Sequence, residues 1–197
     1  MSVRSTRRRS AVAAAGVLAG VLSFALVPAA LAGESTDPQG DTRNDDTNQP
    51  VDVPQADILR SWISIEGKAI VLGQQVRKPT DPAKDKGWIE GDSSAEWDLD
   101  VNDDGKADYT VALSNEDNHV TGGVQKPDAG DDDPDLCSVT RWSYAPEAGY
   151  TVTVDSACVG SPGSVAYQAE FFYDTAPNDD NAAEITDASP DQGLTGR

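Results

Sequence analysis

Six side chains that carry oxygen atoms crowd one short stretch of the chain, where together they could bind a cation. They surround Gly105 and comprise Asp98, Asp100, Asn102, Asp103, Asp104 and Asp108. Negative charges at such close spacing repel one another unless a positive charge lies among them. Carboxylate, amide and backbone carbonyl oxygens are the ligands that Ca²⁺ takes in proteins. This stretch therefore predicts calcium binding.

The spacing matches most of an EF-type calcium loop, which has ligands at positions 1, 3, 5, 7, 9 and 12 and glycine at position 6. With Asp100 at the first position, the ligands through the ninth are Asp100, Asn102, Asp104, the carbonyl of Lys106, and Asp108. Position 12 is Val111 instead of glutamate, so the last ligand has to come from elsewhere. Asp98 is the candidate, because it shares a strand face with Asp100. A plain type I′ hairpin turn is the alternative interpretation.

The sequences on both sides of this loop predict β-strands. Apolar and polar residues alternate in "AEWDLDV" before it and in "ADYTVALS" after it. A period of two with one apolar face is typical of half-buried antiparallel strands. The same alternation returns in four other segments: "ADILRSWISIEG", "KAIVLGQQV", "GYTVTV" and "SVAYQAEFFY". Turn residues separate the segments, so we expect an all-β fold, an antiparallel β-sandwich of about eight strands that is jelly-roll or Ig-like.

The beginning of the chain has the pattern of an export signal. Four arginines come first: Arg4, Arg7, Arg8 and Arg9. The apolar run "AVAAAGVLAGVLSFALVPAA" follows, and after it the small-x-small tripeptide Ala30-Leu31-Ala32. We expect cleavage after Ala32 and a secreted, extracellular product without a membrane span. A membrane anchor is the alternative for the apolar run, and the paired arginines leave the twin-arginine export route open.

Composition divides the chain into four parts. We predict a signal peptide at 1–32, a polar arm or long loop at 33–55, a β-sandwich domain at 56–175 and a loose acidic tail at 176–197. The chain has 34 acidic and 15 basic side chains, and its net charge of −19 becomes −23 when the four arginines are removed. Such a charge disfavours binding to a nucleic-acid backbone or an anionic membrane, and it favours cations.

The chain has two cysteines, Cys137 and Cys158. An even pair in an exported chain predicts a disulfide bond. Two free buried thiols are the alternative. A disulfide that closes a loop of this length stabilises a fold by roughly 3 kcal/mol in the chain-entropy model.

A second acidic segment carries a family resemblance. It opens with "DPQGD", continues through a polar stretch and ends in "ADIL" before an alternating strand. This order resembles the start of secreted bacterial β-sandwich modules of the DOMON-like and carbohydrate-binding type, and "DVNDDGKAD" resembles the DxNxDGxxD calcium turns of secreted β-rich families. The resemblance implies an accessory binding module in which Asp37, Asp41 and Asp57 hold a structural calcium. A flexible acidic arm capped by a strand is the alternative.

The residues give little support for catalysis. His119 is the only histidine, so a histidine-based zinc site is not expected, and the chain has no G-x-S-x-G motif. We therefore expect a protein that is not an enzyme. The alternative is a small secreted hydrolase that uses a carboxylate pair, which would require one acid with a raised pKa.

The expected function is that of a secreted, calcium-binding module for an extracellular or cell-surface glycan or protein. Trp62 and Trp88 are the candidate ligand-binding residues. Trp62 lies opposite the apolar face of its strand, and Trp88 follows a polar loop. An exposed indole ring can stack on a sugar or anchor a protein interface. A purely structural protein whose acidic surface buffers cations is a further alternative.

Overall fold

The computed structural model of the protein describes residues 31–130, 133–177, 184–191 and 193–194. The predicted signal peptide lies outside these residues, except that Leu31 and Ala32 begin the first strand. Cleavage after Ala32 would leave the rest of that strand, Gly33–Thr36, in the mature chain. None of the helices in the described part is long and apolar enough to cross a membrane.

The described residues form twelve strands and very little helix. The strands are β1 Leu31–Thr36, β2 Arg43–Asn44, β3 Ile58–Glu66, β4 Ala69–Val76, β5 Ser94–Asp100, β6 Tyr109–Glu116, β7 His119–Gln125, β8 Cys137–Ser138, β9 Arg141–Ala145, β10 Gly149–Asp155, β11 Ala166–Asp174 and β12 Glu184–Ser189. The helices are α1, Lys86–Ile89, and a single 3₁₀ turn at Ser156–Val159. The predicted all-β sandwich is therefore confirmed, with more strands than the eight expected.

The strands pair antiparallel in two sheets. The first has five strands in the order β1-β3-β4-β10-β9, and the second has seven in the order β2-β12-β11-β5-β6-β7-β8. The start of β3 lies against β12, because the backbone N–H of Ile58 donates a hydrogen bond to the Asp187 carboxylate of β12. The end of β1 pairs with this part of β3. At the opposite edges, β8 and the 3₁₀ turn after β10 are joined covalently. The molecule thus has two edges where one sheet meets the other.

The core lies between the sheets and follows the predicted alternation. Trp97 and Leu99 of β5 and Phe171 of β11 are fully buried, as are Ile63 and Leu72 from the other sheet. Burial of such side chains supplies about 2 kcal/mol or more each, so these alternating positions determine which face of each strand turns inward.

Two of the predicted boundaries are wrong. The polar arm contributes β1, which pairs with β3, and the tail contributes β12, which pairs with β11 on one side and β2 on the other. In β12 the buried positions are Ile185, Asp187 and Ser189. Two of these three inward residues are polar, so the strand lacks the apolar face by which the other strands were recognised.

The predicted disulfide is confirmed. It joins Cys137 in β8 to Cys158 in the 3₁₀ turn, with 6.0 Å between their Cα atoms. Because β8 is the outer strand of the seven-stranded sheet and the turn follows β10 of the other sheet, the bond fastens one sheet to the other.

Candidate metal centre

Five aspartates from three separate segments meet where β1 and β3 approach β12. Asp37 and Asp41 lie in the loop after β1, Asp57 directly precedes β3, and Asp187 and Asp191 lie in and just after β12. One carboxylate oxygen from each of Asp37, Asp41, Asp187 and Asp191 lies within 4.8 Å of the other three. Asp57 is close enough to raise the pKa of Asp37 and of Asp187. We call these five residues the aspartate cluster.

Backbone hydrogen bonds hold the loop of Asp37 and Asp41 against β3. The amide of Asp37 donates to the carbonyl of Leu59 at 3.0 Å, and the amide of Gly40 donates to Asp57 Oδ2 at 3.0 Å. Gly40 has a φ of +88°, a conformation that other residues rarely adopt. The glycine of "DPQGD" thus lets the loop turn back so that both of its aspartates reach the cluster.

Three carboxylate oxygens in the cluster are buried without a hydrogen-bond partner. They are Oδ2 of Asp37, Oδ1 of Asp41 and Oδ1 of Asp57. Asp57 is 0 % exposed, and its other oxygen is fully occupied by Gly40 and by Arg77, whose Nη1 lies 3.1 Å away. A buried polar atom without a partner costs free energy, and such atoms are uncommon in native proteins. These three oxygens therefore indicate a group that would bind them.

Burial and mutual repulsion disfavour the ionised forms of these acids. Burial, followed by the charges of Asp187, Asp191, Asp41 and Asp57, raises the pKa of Asp37 to about 8. Burial is also the main cause that raises the pKa of Asp187 to about 7, with a contribution from the charge of Asp41. The pKa values of Asp41 and Asp57 are raised as well, again chiefly by burial. The cluster must either hold protons near neutral pH or bind a cation.

The basic group nearest to the cluster among the described residues does not balance its charge. Arg77 pairs with Asp57 and also with Asp52, which lies outside the cluster. The charge of Arg43 also acts on Asp41, but burial outweighs it and the pKa of Asp41 stays raised, so two guanidinium groups do not balance five carboxylates. The donors are oxygen atoms only, which suits a hard divalent cation such as Ca²⁺ better than zinc or copper.

The cluster also has a route to solvent. A cavity of about 430 Å³ opens beside it, lined by Asp37, Asp191 and the two prolines Pro38 and Pro190 among others. Asp191 is exposed, whereas Asp187 is 6 % exposed. An ion could therefore enter from the side of Asp191 and reach the buried oxygens.

The acidic loop singled out by its spacing is held together by its own hydrogen bonds. The carboxylate of Asp100 accepts backbone N–H groups of Asn102 at 3.0 Å, Asp103 at 2.6 Å and Gly105 at 2.8 Å. Burial acts to raise the pKa of Asp100, but these hydrogen bonds outweigh it and lower the pKa. Asp100 is therefore ionised and organises the turn even without an ion.

The other predicted ligands of this loop bond to one another in the structure. Asn102 donates its side-chain amide to Asp108 Oδ1 at 2.9 Å, and the amide of Lys106 donates to Asp104 Oδ1 at 3.0 Å. Within the described chain, the carboxylates that gather as a possible metal site are those of Asp37, Asp41, Asp187 and Asp191. Calcium binding by Asp100, Asn102, Asp104, Lys106 and Asp108 stays a prediction.

Asp98, the predicted last ligand of the loop, has another partner. Its Oδ1 accepts a hydrogen bond from the hydroxyl of Thr110 on the neighbouring strand β6 at 2.6 Å. The two residues are directly opposite in the β5–β6 pairing. Asp98 and Thr110 therefore form a cross-strand pair on the outer face of the seven-stranded sheet.

Trp88 cannot serve as a ligand platform, and that prediction is wrong. The residue is fully buried and lies 5.3 Å from Tyr150 and 5.6 Å from Phe171, measured between ring centroids. Its indole N–H donates to the Thr80 hydroxyl at 3.2 Å. The short helix α1 turns this ring into the core, which the polar sequence before it did not indicate.

Trp62 is half-buried on the outer face of the five-stranded sheet. Its ring covers Gly73 on β4, where a side chain would overlap the indole, and the Arg60 guanidinium lies 4.9 Å from its centroid. Both contacts reduce the ring surface available for a ligand. A ligand-binding role for Trp62 stays a prediction.

Two members of the cluster, Asp187 and Asp191, were not predicted. A signal for them exists in the sequence, because "DASPD" repeats the D-x-x-x-D spacing and the internal proline of "DPQGD". The sequence predicts a loose tail for this segment, because the strand that contains Asp187 lacks an apolar face.

A pair of glutamates lies apart from the cluster, on the outer face of the seven-stranded sheet. Glu96 of β5 is directly opposite Glu170 of β11. Burial, and then the charges of Asp98 and Glu96, raise the pKa of Glu170 to about 7. The pKa of Glu96 is also raised, mainly by burial. This is the kind of carboxylate pair that the hydrolase alternative requires.

Fold and site together define an antiparallel β-sandwich protein with a partly buried aspartate cluster where its two sheets meet. No family model matches the chain, and no curated protein matches it as a relative. The resemblance to DOMON-like and carbohydrate-binding modules therefore stays a prediction.

Proposed function

We propose that the protein is a secreted, non-enzymatic β-sandwich module that binds Ca²⁺ in its aspartate cluster. The observation that carries this proposal is the set of three buried carboxylate oxygens without partners, on Asp37, Asp41 and Asp57. A Ca²⁺ ion takes six to eight oxygen ligands, and it would satisfy these atoms and offset the repulsion at once.

The ion would join the two sheets. Asp37, Asp41 and Asp57 belong to segments next to β1 and β3, whereas Asp187 lies in β12 of the other sheet and Asp191 lies just after that strand. If the site binds with a Kd of about 0.1 mM and extracellular calcium is about 1 mM, binding adds about 1.4 kcal/mol of stability. For a domain of this size that is a melting shift of a few degrees.

Several features support secretion. The first 32 residues have the order of an export signal, and the chain forms a disulfide bond, which is typical of oxidising compartments. Extracellular calcium is abundant enough for a site of modest affinity. The partner of such a module would be a glycan or protein outside the cell.

Isothermal titration of the purified, demetallated protein with calcium tests the proposal. We expect saturable binding that Asp187→Asn abolishes and that Asp104→Ala leaves intact, because Asp104 lies in the other acidic loop. Loss of binding in Asp104→Ala alone would move the ion to that loop. The absence of any calcium heat, with folding indifferent to chelator, would overturn the proposal.

The Glu96–Glu170 pair favours a second candidate, a small secreted hydrolase. Cross-strand neighbours have Cβ atoms about 5 Å apart, and Glu170 with a pKa of about 7 could act as a general acid. Release of reducing sugar from a polysaccharide panel, lost in Glu170→Gln, would support this candidate. No release from any substrate by the wild-type protein would remove it.

A further inference from the structure

A groove lies at the edge of the sandwich opposite the aspartate cluster. It has a volume of about 420 Å³ and is lined by residues of β6, β7 and β8 from one sheet and by Trp142 of β9 from the other. Trp142 is 36 % exposed, which makes it the one exposed tryptophan in the described part of the chain. The groove thus combines an accessible indole ring with a concave surface of the size usual for small ligands.

The floor of the groove depends on two consecutive glycines in β7. A side chain at Gly123 would overlap the carboxylate of Asp135, and one at Gly122 would lie 2.9 Å from Cγ2 of Val139. Glycine is unfavourable inside a strand and is found where another group approaches closely. Gly123 leaves room for the Asp135 side chain to lie across the sheet. There the side-chain amide of Gln125 donates a hydrogen bond to Asp135 Oδ1 at 3.0 Å.

The chemistry of the lining fits a sugar ring. Trp142 offers an apolar aromatic face, and Asp135, Gln125, Ser114 and Ser138 offer hydrogen-bond donors and acceptors around it. A pyranose ring has the same division, with C–H groups on its faces and hydroxyl groups at its edge. A sugar ring is therefore a ligand class that this lining fits.

Charge selects among sugars. Among the described residues that line the groove there are two carboxylates, those of Glu116 and Asp135, and no Lys, Arg or His. The chain as a whole has a net charge of −19. An anionic sugar such as a uronate or a sulfated residue would be repelled. We propose that this groove binds a neutral sugar residue of an extracellular polysaccharide, stacked on Trp142 and hydrogen-bonded by Asp135 and Gln125. The proposal does not depend on the calcium site, which lies at the other edge.

The test is isothermal titration of the full mature protein with soluble hexasaccharides. The neutral probes are cellohexaose, laminarihexaose, xylohexaose and maltohexaose, and the anionic probe is hexagalacturonate. We expect at least one neutral probe to bind, and Trp142→Ala to weaken that binding about tenfold or more. Phe172→Ala is the matched control, since it removes a half-buried aromatic ring from β11, outside the groove lining, and should leave the affinity unchanged.

Each other result overturns the proposal. Binding of none of the neutral probes, or binding that Trp142→Ala does not weaken, would show that the groove is not a sugar site. Preference for hexagalacturonate would contradict the charge argument. The melting temperatures of both variants establish that a lost affinity is not a lost fold, and Asp135→Asn, of nearly identical shape, provides a second variant that is expected to weaken binding.

Discussion

Asp187 of β12 accepts a hydrogen bond from the backbone N–H of Ile58 at the start of β3, with 2.7 Å between Asp187 Oδ2 and the amide nitrogen. The bond connects the two sheets directly and is buried. The same carboxylate belongs to the aspartate cluster, so one side chain both closes an edge of the sandwich and offers oxygen to an ion.

Asp187→Asn should have opposite effects with and without calcium. The asparagine keeps an acceptor for the Ile58 amide, loses the local bond that the Ala188 amide donates to Asp187 Oδ1, and removes one negative charge from the cluster. In chelator we expect the variant to melt at or above the wild-type temperature, because repulsion is reduced. In calcium we expect it to melt several degrees below wild type, because an anionic ligand is lost. Scanning calorimetry of both proteins in both buffers checks this, and the same sign in both buffers would contradict it.

Calcium binding near pH 7 should release about one proton. In the metal-free protein Asp37, with a pKa of about 8, is mostly protonated at that pH, and Asp187, with a pKa of about 7, is about half protonated. A bound cation requires both carboxylates to ionise. Titrations in two buffers that differ in ionisation enthalpy measure the protons released. Equal binding heats in the two buffers would show that the cluster is already ionised.

The stability of the chelated protein should fall as the pH rises from about 4 to about 8. The folded pKa of Asp37, about 8, and that of Asp187, about 7, lie above the ordinary value of 3.8, so in this range the folded state binds more protons than the unfolded state. Stability therefore decreases with rising pH until these groups ionise in the folded state. Urea unfolding in chelator at several pH values checks the slope. Saturating calcium should flatten or reverse it, since ionised carboxylates bind the ion.

Replacing both cysteines by serine should lower the free energy of unfolding by roughly 3 kcal/mol, the loop-closure value for residues separated by 21 positions. Urea unfolding of Cys137→Ser/Cys158→Ser in saturating calcium measures this cost. Calcium affinity should be unchanged, because the disulfide and the aspartate cluster lie at opposite edges. A loss of calcium binding would show instead that the two edges are coupled.

The strands that sequence periodicity predicts are those whose inward positions are mostly apolar. In β5 and β11 every second residue is apolar or aromatic, and both strands have the predicted alternation. The alternation failed for β12, because Asp187 and Ser189 occupy inward positions where the pattern requires apolar residues.

Three of the five cluster residues could be predicted from the sequence, and the two in and after β12 could not. Asp37, Asp41 and Asp57 lie in one continuous segment, so a local sequence motif predicts them together. Asp187 and Asp191 come near them only through the pairing of β12 with β11 and β2, which joins residues far apart in the chain. Likewise, the burial of Trp88 depends on contacts with Tyr150 and Phe171 that no local pattern contains.

The placement of the disulfide and the aspartate cluster at opposite edges has a consequence for biogenesis. A reducing, calcium-poor cytosol would leave the thiols free and the carboxylates without a metal, so neither edge would be fastened there. If the protein is secreted as proposed, both edges would be fastened only after translocation, where an oxidising environment and divalent ions are available. Before export the fold would be less stable and easier to unfold for passage through a translocation channel, and it would gain stability outside the cell.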